Sequence, residues 1–222
     1  MGWDAQMAKH DAEPRKKPKQ ARSALMFDAV VMAASKVLEK EGAEALTTSR
    51  VAEVAGVSVG SLYQYFPNKW AIVSALIEKY VTEDYALFVE MAGAAHQVPI
   101  AVSVPALVRG MLGMYRTNAA VRGILFDQMS LVGRTPFLHR MLREYVGTVK
   151  QLLSARQQEI APTVDDTLAY LVLHAVEGAL RAVVLDPPDP FDEERFVALM
   201  SSMVLGLLGV RTETVTEHGT LR

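Results

Sequence analysis

The chain has 222 residues, half of them hydrophobic, with a formal net charge of −2 and no cysteine. That length and apolar content support one or two domains with a sizeable core and exclude general disorder. The absent cysteines exclude a disulfide framework, a thiolate metal site and a cysteine nucleophile.

Residues 1–20 carry no hydrophobic period, and PRKKPKQAR reads as a solvated basic tail, a nuclear signal or an arm that follows DNA phosphates, the last favoured by the helix pair that comes next. Helix 1 is expected over Ala21–Glu41, where Met26, Val30, Ala33 and Val37 share a face and Gly42 stops the helix. In LTTSRVAEVAGVSVGSLYQYFPNKW, from Leu46 to Trp70, Val51, Ala52, Val54 and Ala55 give helix 2 an apolar face, Thr48 can cap its start and Gly56 ends it. Ser58 can cap the next helix. Val59, Leu62 and Phe66 then mark a buried side, and Gly60, Ser61, Tyr63, Gln64 and Tyr65 an outward one. Asn68 caps helix 4, expected from Lys69 to about Met91, roughly 34 Å long. Ile72, Leu76, Tyr80, Leu87 and Met91 line its buried side. Such a length can serve two domains and act as a lever between them.

Gly93, His96 and Pro99 suggest a loop. Helix 5 follows over Val102–Arg116, helix 6 over Ala119–Val132, and helix 7 over Pro136–Ile160 with Thr135 as its cap. Pro162 and Thr163 open helix 8, which runs to Leu185; Asp192-Glu193-Glu194 open helix 9, which ends near Gly209. No alternating strand pattern and no internal repeat are visible. The fold class is therefore all-α. The expected division is an arm (1–20), a helix-turn-helix domain (21–68), a C-terminal effector and dimerisation domain (69–210) and a polar tail (211–222).

Helix, glycine turn and helix is the geometry that lays a second helix into a DNA major groove. The outward hydroxyls and amide suit phosphates and base edges. Charge agrees: Arg15 to Lys69 holds nine Lys/Arg against five Asp/Glu, whereas the chain from Trp70 holds thirteen against seventeen. A positive segment favours phosphate contact and makes binding salt-dependent. TTSRVAEVAGVSVGSLYQYFPNKWAIVSAL resembles the DNA-binding signature of the TetR family of bacterial transcriptional regulators, through its TT, AGVS, GSLY, YF and the lysine opening helix 4. The resemblance implies a homodimer on a palindromic double-stranded DNA operator, released by a small effector. It implies phosphate contacts from Thr48, Ser61, Tyr63, Tyr65 and Lys69, and base-edge positions at Ser49, Val59, Gly60 and Gln64. Ser58 and Arg50 lie within the same surface. No arginine occupies the recognition helix, so bidentate guanine reading from it is not expected.

Gly56-Val57-Ser58-Val59-Gly60 also fits G-x-S-x-G, but a nucleophile elbow needs a preceding strand. His10, His96, His139, His174 and His218 show no i, i+4 metal spacing. No catalytic group, metal or cofactor is called for, and the chain reads as a non-enzyme. The longest apolar run, near Leu199–Val210, falls short of the about 20 residues a membrane span needs, and the N-terminus lacks a signal peptide's apolar core. A cytoplasmic protein without membrane attachment is the simplest expectation.

Two further surfaces follow. Ala175, Gly178, Ala179 and Ala182 on helix 8, with Met203, Gly206 and Leu207 on helix 9, form a small-residue strip suited to a two-fold four-helix interface. Met91, Met111, Met114, Tyr115, Phe126, Met129, Met141 and Tyr145 suggest an adaptable apolar pocket, with His174 and Glu177 to orient a ligand. No Arg or Lys cluster serves this region, which points to an uncharged or weakly polar hydrophobic effector. An activator, a regulator whose ligand promotes DNA binding, or a helical binding module that does not contact DNA would carry many of the same residues. A salt-titrated gel shift separates these readings.

Overall fold

The apolar periods do fold as helices. A computed structural model of the chain describes Pro14 and residues 21–132 and 136–210. Its elements are α1 (Ala21–Glu41), α2 (Thr48–Ala55), α3 (Val59–Tyr63), α4 (Lys69–Ala95), α5 (Ile100–Arg116), α6 (Ala119–Val132), α7 (Pro136–Ser154), a 3-10 turn (Gln157–Glu159), α8 (Asp166–Leu185) and α9 (Glu193–Leu207). No strand occurs among the described residues. The fold is all-α as expected. The basic arm, the Thr135 cap and the polar tail lie outside the described residues.

Several boundaries differ from expectation for local reasons. α4 runs through Gly93 to Ala95; a single glycine among alanines costs a helix only about 1 kcal/mol. α7 stops at Ser154 instead of reaching Ile160. Beyond it, Gln157 Nε2 donates to the Ile160 and Pro162 carbonyls and its Oε1 accepts from Val164 N at 2.9 Å, which organises a turn. α8 therefore opens at Asp166, with Asp165 accepting from Leu168 N at 2.8 Å, and not at Pro162-Thr163. α8 is also long and apolar enough, by length and composition, to cross a bilayer, which the reading of Leu199–Val210 overlooked. Leu168, Ala169, Val172, Leu173, Val176, Leu180 and Val183 bury its inner face in protein.

The chain forms two compact units. One holds the chain up to Ala86 together with Tyr115–Arg143; the other holds Leu87–Met114 and the chain from Glu144. The division falls within α4, α5 and α7, so each of these helices supplies residues to both. In the first unit, Val30, Ala34, Val37 and Leu38 of α1 pack with Val51 and Ala52 of α2, Leu62, Phe66, Ile72 and Leu76. Val121 and Leu125 of α6 join that core. On α4 the buried side departs from expectation at Leu87, which is exposed, while its neighbour Phe88, expected to widen the stripe, is buried.

Inside the first unit a buried ion pair ties α4 to α6. Arg122 Nη1 and Nη2 donate to the Asp84 carboxylate at 2.5 and 2.7 Å, and Nε donates to the Thr117 carbonyl at 2.8 Å. The guanidinium lies 5.2 Å from the Tyr80 ring and 5.8 Å from the Tyr115 ring. The Tyr80 and Ser35 hydroxyls share a 3.0 Å hydrogen bond, which extends the network to α1. Burial pushes the Arg122 pKa down, but the Asp84 hydrogen bond and charge outweigh it, and the net direction is up. Removing one partner of such a pair leaves a buried charge uncompensated. Asp84→Ala is expected to lower unfolding free energy by about 3–5 kcal/mol. The double change Asp84→Leu with Arg122→Met should recover much of that loss. Denaturant unfolding of the three proteins checks both outcomes.

Candidate DNA interface and apolar cavity

α2 and α3 owe their geometry to three local caps and one glycine. Thr47, not Thr48, is the N-cap of α2: its side chain accepts from Arg50 N at 3.1 Å. Thr48 is left to share a 3.2 Å hydrogen bond with the Tyr63 hydroxyl, linking the start of α2 to the end of α3. Gly56 adopts φ 68°, a left-handed conformation that disfavours any residue with a Cβ. Val57 N donates back to Ala52 O at 3.0 Å, completing the stop. Ser58 caps α3, accepting from Ser61 N at 3.0 Å while its hydroxyl bonds the Ser61 hydroxyl at 2.8 Å. That occupation explains the G-x-S-x-G match without any nucleophile. Asn68 Oδ1 accepts from Ala71 N at 3.0 Å and starts α4.

α3 is only five residues long, and Gln64 is its C-cap. Leu62 and the Phe66 that follows the helix are fully buried, with the Phe66 ring 4.7 Å from Phe27. Val59 does not join them. It is 39% exposed, as is Val54 at 37%, so two residues expected on apolar faces point outward instead. The reason is helix length: α3 ends before Phe66, so the i, i+7 relation does not hold. The outward surface comprises Ser49, Val59, Gly60, Tyr63 and Gln64, with Thr48 and Ser61 half-buried. Tyr65 is half-buried and packs against the core, so its ring serves both sides.

Charge on this surface is partly committed. Arg50 Nη2 meets Glu41 at 2.7 Å and Nη1 meets Glu53 at 2.7 Å. These carboxylates raise the Arg50 pKa further, and the Arg50 hydrogen bond holds Glu41 below the usual carboxylate range. Arg50 is therefore outnumbered by its two carboxylate partners and offers no free positive charge to this surface. Lys69 lies with Nζ 5.1 Å from the Trp70 ring centre, at the start of α4.

The second unit holds an apolar cavity that is partly open to solvent. Helices α4, α5, α7, α8 and α9 supply its lining, including Phe88, Val108, Leu152, Leu173 and Val204. Among the described residues expected to hold an effector, only Met111 lines it. The others lie elsewhere because the deduction rested on side-chain type alone. Met91 packs its sulfur against Gly110, and Met114 is buried outside the lining. Tyr145 sits 5.5 Å from Phe88. Tyr115 and Phe126 stack at 6.0 Å within the first unit, where Met141 is also buried. The Met129 side chain lies outside the described residues. His174 and Glu177 are 3.8 Å apart on the half-exposed side of α8, with the Tyr170 ring 4.2 Å from His174.

Sequence reasoning missed Arg156. It is 6% exposed and lines the cavity, a single basic group where no cluster of Arg or Lys was expected. A signal existed: Val149, Leu152, Leu153 and Arg156 follow the i, i+3, i+4, i+7 stripe of α7 and its exit, with a charge where the pattern calls for an apolar group. Elsewhere on the second unit, α8 and α9 leave large apolar groups exposed: Tyr170, Leu171 and Leu185, then Leu199, Met203 and Leu207. Ala175, Ala182 and Gly206 are exposed and Gly178 and Ala179 half-buried on the same helices. No group of three or more potential metal ligands occurs among the described residues.

Comparison with known proteins adds the following. The family described as "Bacterial regulatory proteins, tetR family" matches residues 30–76, and "Tetracyclin repressor-like, C-terminal domain" matches residues 99–208. A nucleoid occlusion factor SlmA of Haemophilus ducreyi is 27% identical over 118 residues, covering 53% of this chain and 57% of that protein. The structure of a TetR-family transcriptional regulator from Pectobacterium atrosepticum superimposes with a TM-score of 0.69 at 19% identity, over 86% of this chain and 98% of that one. SmeT, the repressor of the Stenotrophomonas maltophilia multidrug efflux pump SmeDEF, gives 0.61 at 17% identity, over 87% and 94%. These two structures share the fold.

Tyr63→Ala and Lys69→Ala are each expected to weaken binding to a specific DNA site while leaving helical content unchanged. Loss of Lys69 should also reduce the slope of log affinity against log salt by about one. Fluorescence anisotropy at several salt concentrations reads both; unchanged affinity and slope in both variants would contradict this assignment.

Proposed function

Because the chain belongs to the TetR family of bacterial regulatory proteins, whose members are transcription regulators and not enzymes, we propose that it is a transcriptional repressor released from its operator by a small, mainly apolar effector. The observation that carries the reading is the coexistence in one chain of a capped helix-turn-helix and, in the other compact unit, an apolar cavity. α4 gives residues to both units, which supports its role as the element through which the cavity's occupancy reaches DNA. Ligand and DNA would then each weaken the other's binding by the same factor. The repressor role of SmeT favours this sign of regulation. A cytoplasmic, DNA-associated location follows from the same reading.

The similarity to a nucleoid occlusion factor favours a second reading, in which DNA binding serves chromosome-wide occupancy and not a single promoter. Mapping bound DNA across the chromosome separates the two. Sites confined to one or a few promoters, with transcripts that rise on deletion, support the repressor; scattered sites without transcript changes support the other.

The apolar strip on α8 and α9 supports a two-fold homodimer. Exposed apolar groups of this kind favour a partner, and two recognition helices would then meet successive major grooves about 34–36 Å apart. A Cβ built on Gly178 meets no heavy atom within 4 Å outside its own stretch of helix, so a side chain can leave the backbone there without a clash. Gly178→Arg is therefore expected to leave a folded monomer with weakened operator affinity. Analytical ultracentrifugation with a gel shift on DNA upstream of the chain's own gene tests both; a wild-type monomer at micromolar concentration would contradict the dimer. A cavity ligand at a hundred times its dissociation constant should stabilise the wild type by about 2.7 kcal/mol, seen as a raised melting temperature.

A further inference from the structure

The cavity is apolar on almost every side, yet one guanidinium has been built into its wall. Arg156 Nη2 donates to the Ala95 carbonyl and, at 2.9 Å, to the Val98 carbonyl, so this edge staples the end of α4 and the segment after it. Nε lies 3.7 Å from Glu159 Oε1, while Glu159 Oε2 accepts from Ile100 N at 2.8 Å. Nη1 is buried and has no acceptor among the described residues. A stapling role uses Nη2 and Nε and leaves Nη1 unexplained. A buried, charged N–H without a partner is costly, and any oxygen that reaches it recovers that cost.

The surroundings narrow the kind of oxygen. Among the lining residues Arg156 is the only charged side chain, and Ser103 is the only other polar one. Ser103 Oγ donates to the Ile100 carbonyl at 3.3 Å, and Glu159 holds the amide of that same Ile100. The cavity's polar groups thus gather at the start of α5, and the rest of the lining is hydrocarbon and ring surface. An anion entering this space meets a wall whose lining charge is positive. Glu159 opposes it, but Glu159 is part-exposed and engaged at both oxygens. Charge-assisted hydrogen bonds to a guanidinium are stronger than neutral ones, so a carboxylate gains more from Nη1 than a hydroxyl or an ester does.

We infer that the effector is an amphipathic monocarboxylate, its apolar body in the cavity and its carboxylate accepting a hydrogen bond from Arg156 Nη1. This rests on the reading of the cavity as the effector site and narrows it to a ligand class. It replaces the uncharged effector expected from residue types alone.

Isothermal titration of the full-length protein at neutral pH with octanoate, decanoate and dodecanoate, each beside its matching 1-alkanol, tests the inference. The acid is expected to bind at least about tenfold more tightly than the alcohol of the same length. Arg156→Gln should weaken the acid by about ten- to a hundredfold and leave the alcohol unchanged. Because Arg156 also staples two carbonyls, Glu159→Gln supplies an independent variant. It removes the opposing carboxylate and should tighten the acid and not the alcohol. If alcohols bind as well as or better than acids, and Glu159→Gln moves neither, the cavity reading stands and the carboxylate anchor is overturned. If neither acids nor alcohols bind at any length, both the anchor and the cavity reading fail.

Discussion

A guanidinium taken out of water has to find its countercharge and its hydrogen bonds within the protein, and Arg122 finds both. Asp84 on α4 neutralises it, Thr117 O accepts from its third nitrogen, and the faces of Tyr80 and Tyr115 flank it. The energetic asymmetry of such a pair matters more than its net worth: intact it contributes little beyond an apolar substitute, but half of it is strongly destabilising. α4 and α6 in the first unit are thereby held in one register, and the Tyr80–Ser35 hydrogen bond carries that register to α1. α1 in turn packs on α2, and Phe27 of α1 meets Phe66 just after α3. The position of the recognition segment thus depends, through packed contacts within that unit, on a charge pair that lies outside α2 and α3.

The candidate DNA surface shows how little of a short helix is free to vary. Five residues of α3 must bury Leu62, accept a cap from Ser58 and present Val59, Gly60 and Tyr63 outward. Tyr63 is braced by Thr48, so its hydroxyl is oriented before DNA arrives. Arg50, which looks like an obvious phosphate contact, is instead tied to two carboxylates on the neighbouring turns. Its role in the free protein is to fix α2 against the end of α1.

Much of this half was legible from residues alone, because caps and turns are local. Gly56, Ser58 and Asn68 act as their side chains and short spacing imply. Thr47 and Thr48 carry the same chemistry one residue apart, so type alone does not choose the cap between them. The cavity was not legible in the same way. Five helices line it, with residues from Phe88 to Leu208, and no local pattern reports which methionine or tyrosine faces inward. Side-chain softness pointed to eight residues, and Met111 was the one that geometry placed in the lining. Arg156 was concealed because a lone charge forms no cluster, although the stripe it continues is apolar.

The account's central claim is that occupancy of the cavity and occupancy of DNA are coupled. The direct measurement is the dissociation constant for operator DNA at rising concentrations of a ligand shown to bind the cavity, with the ligand's own constant measured with and without DNA. The account predicts that ligand weakens DNA binding up to a plateau, and that DNA weakens ligand binding by the same factor. A ligand that saturates the cavity and leaves operator affinity unchanged would contradict it.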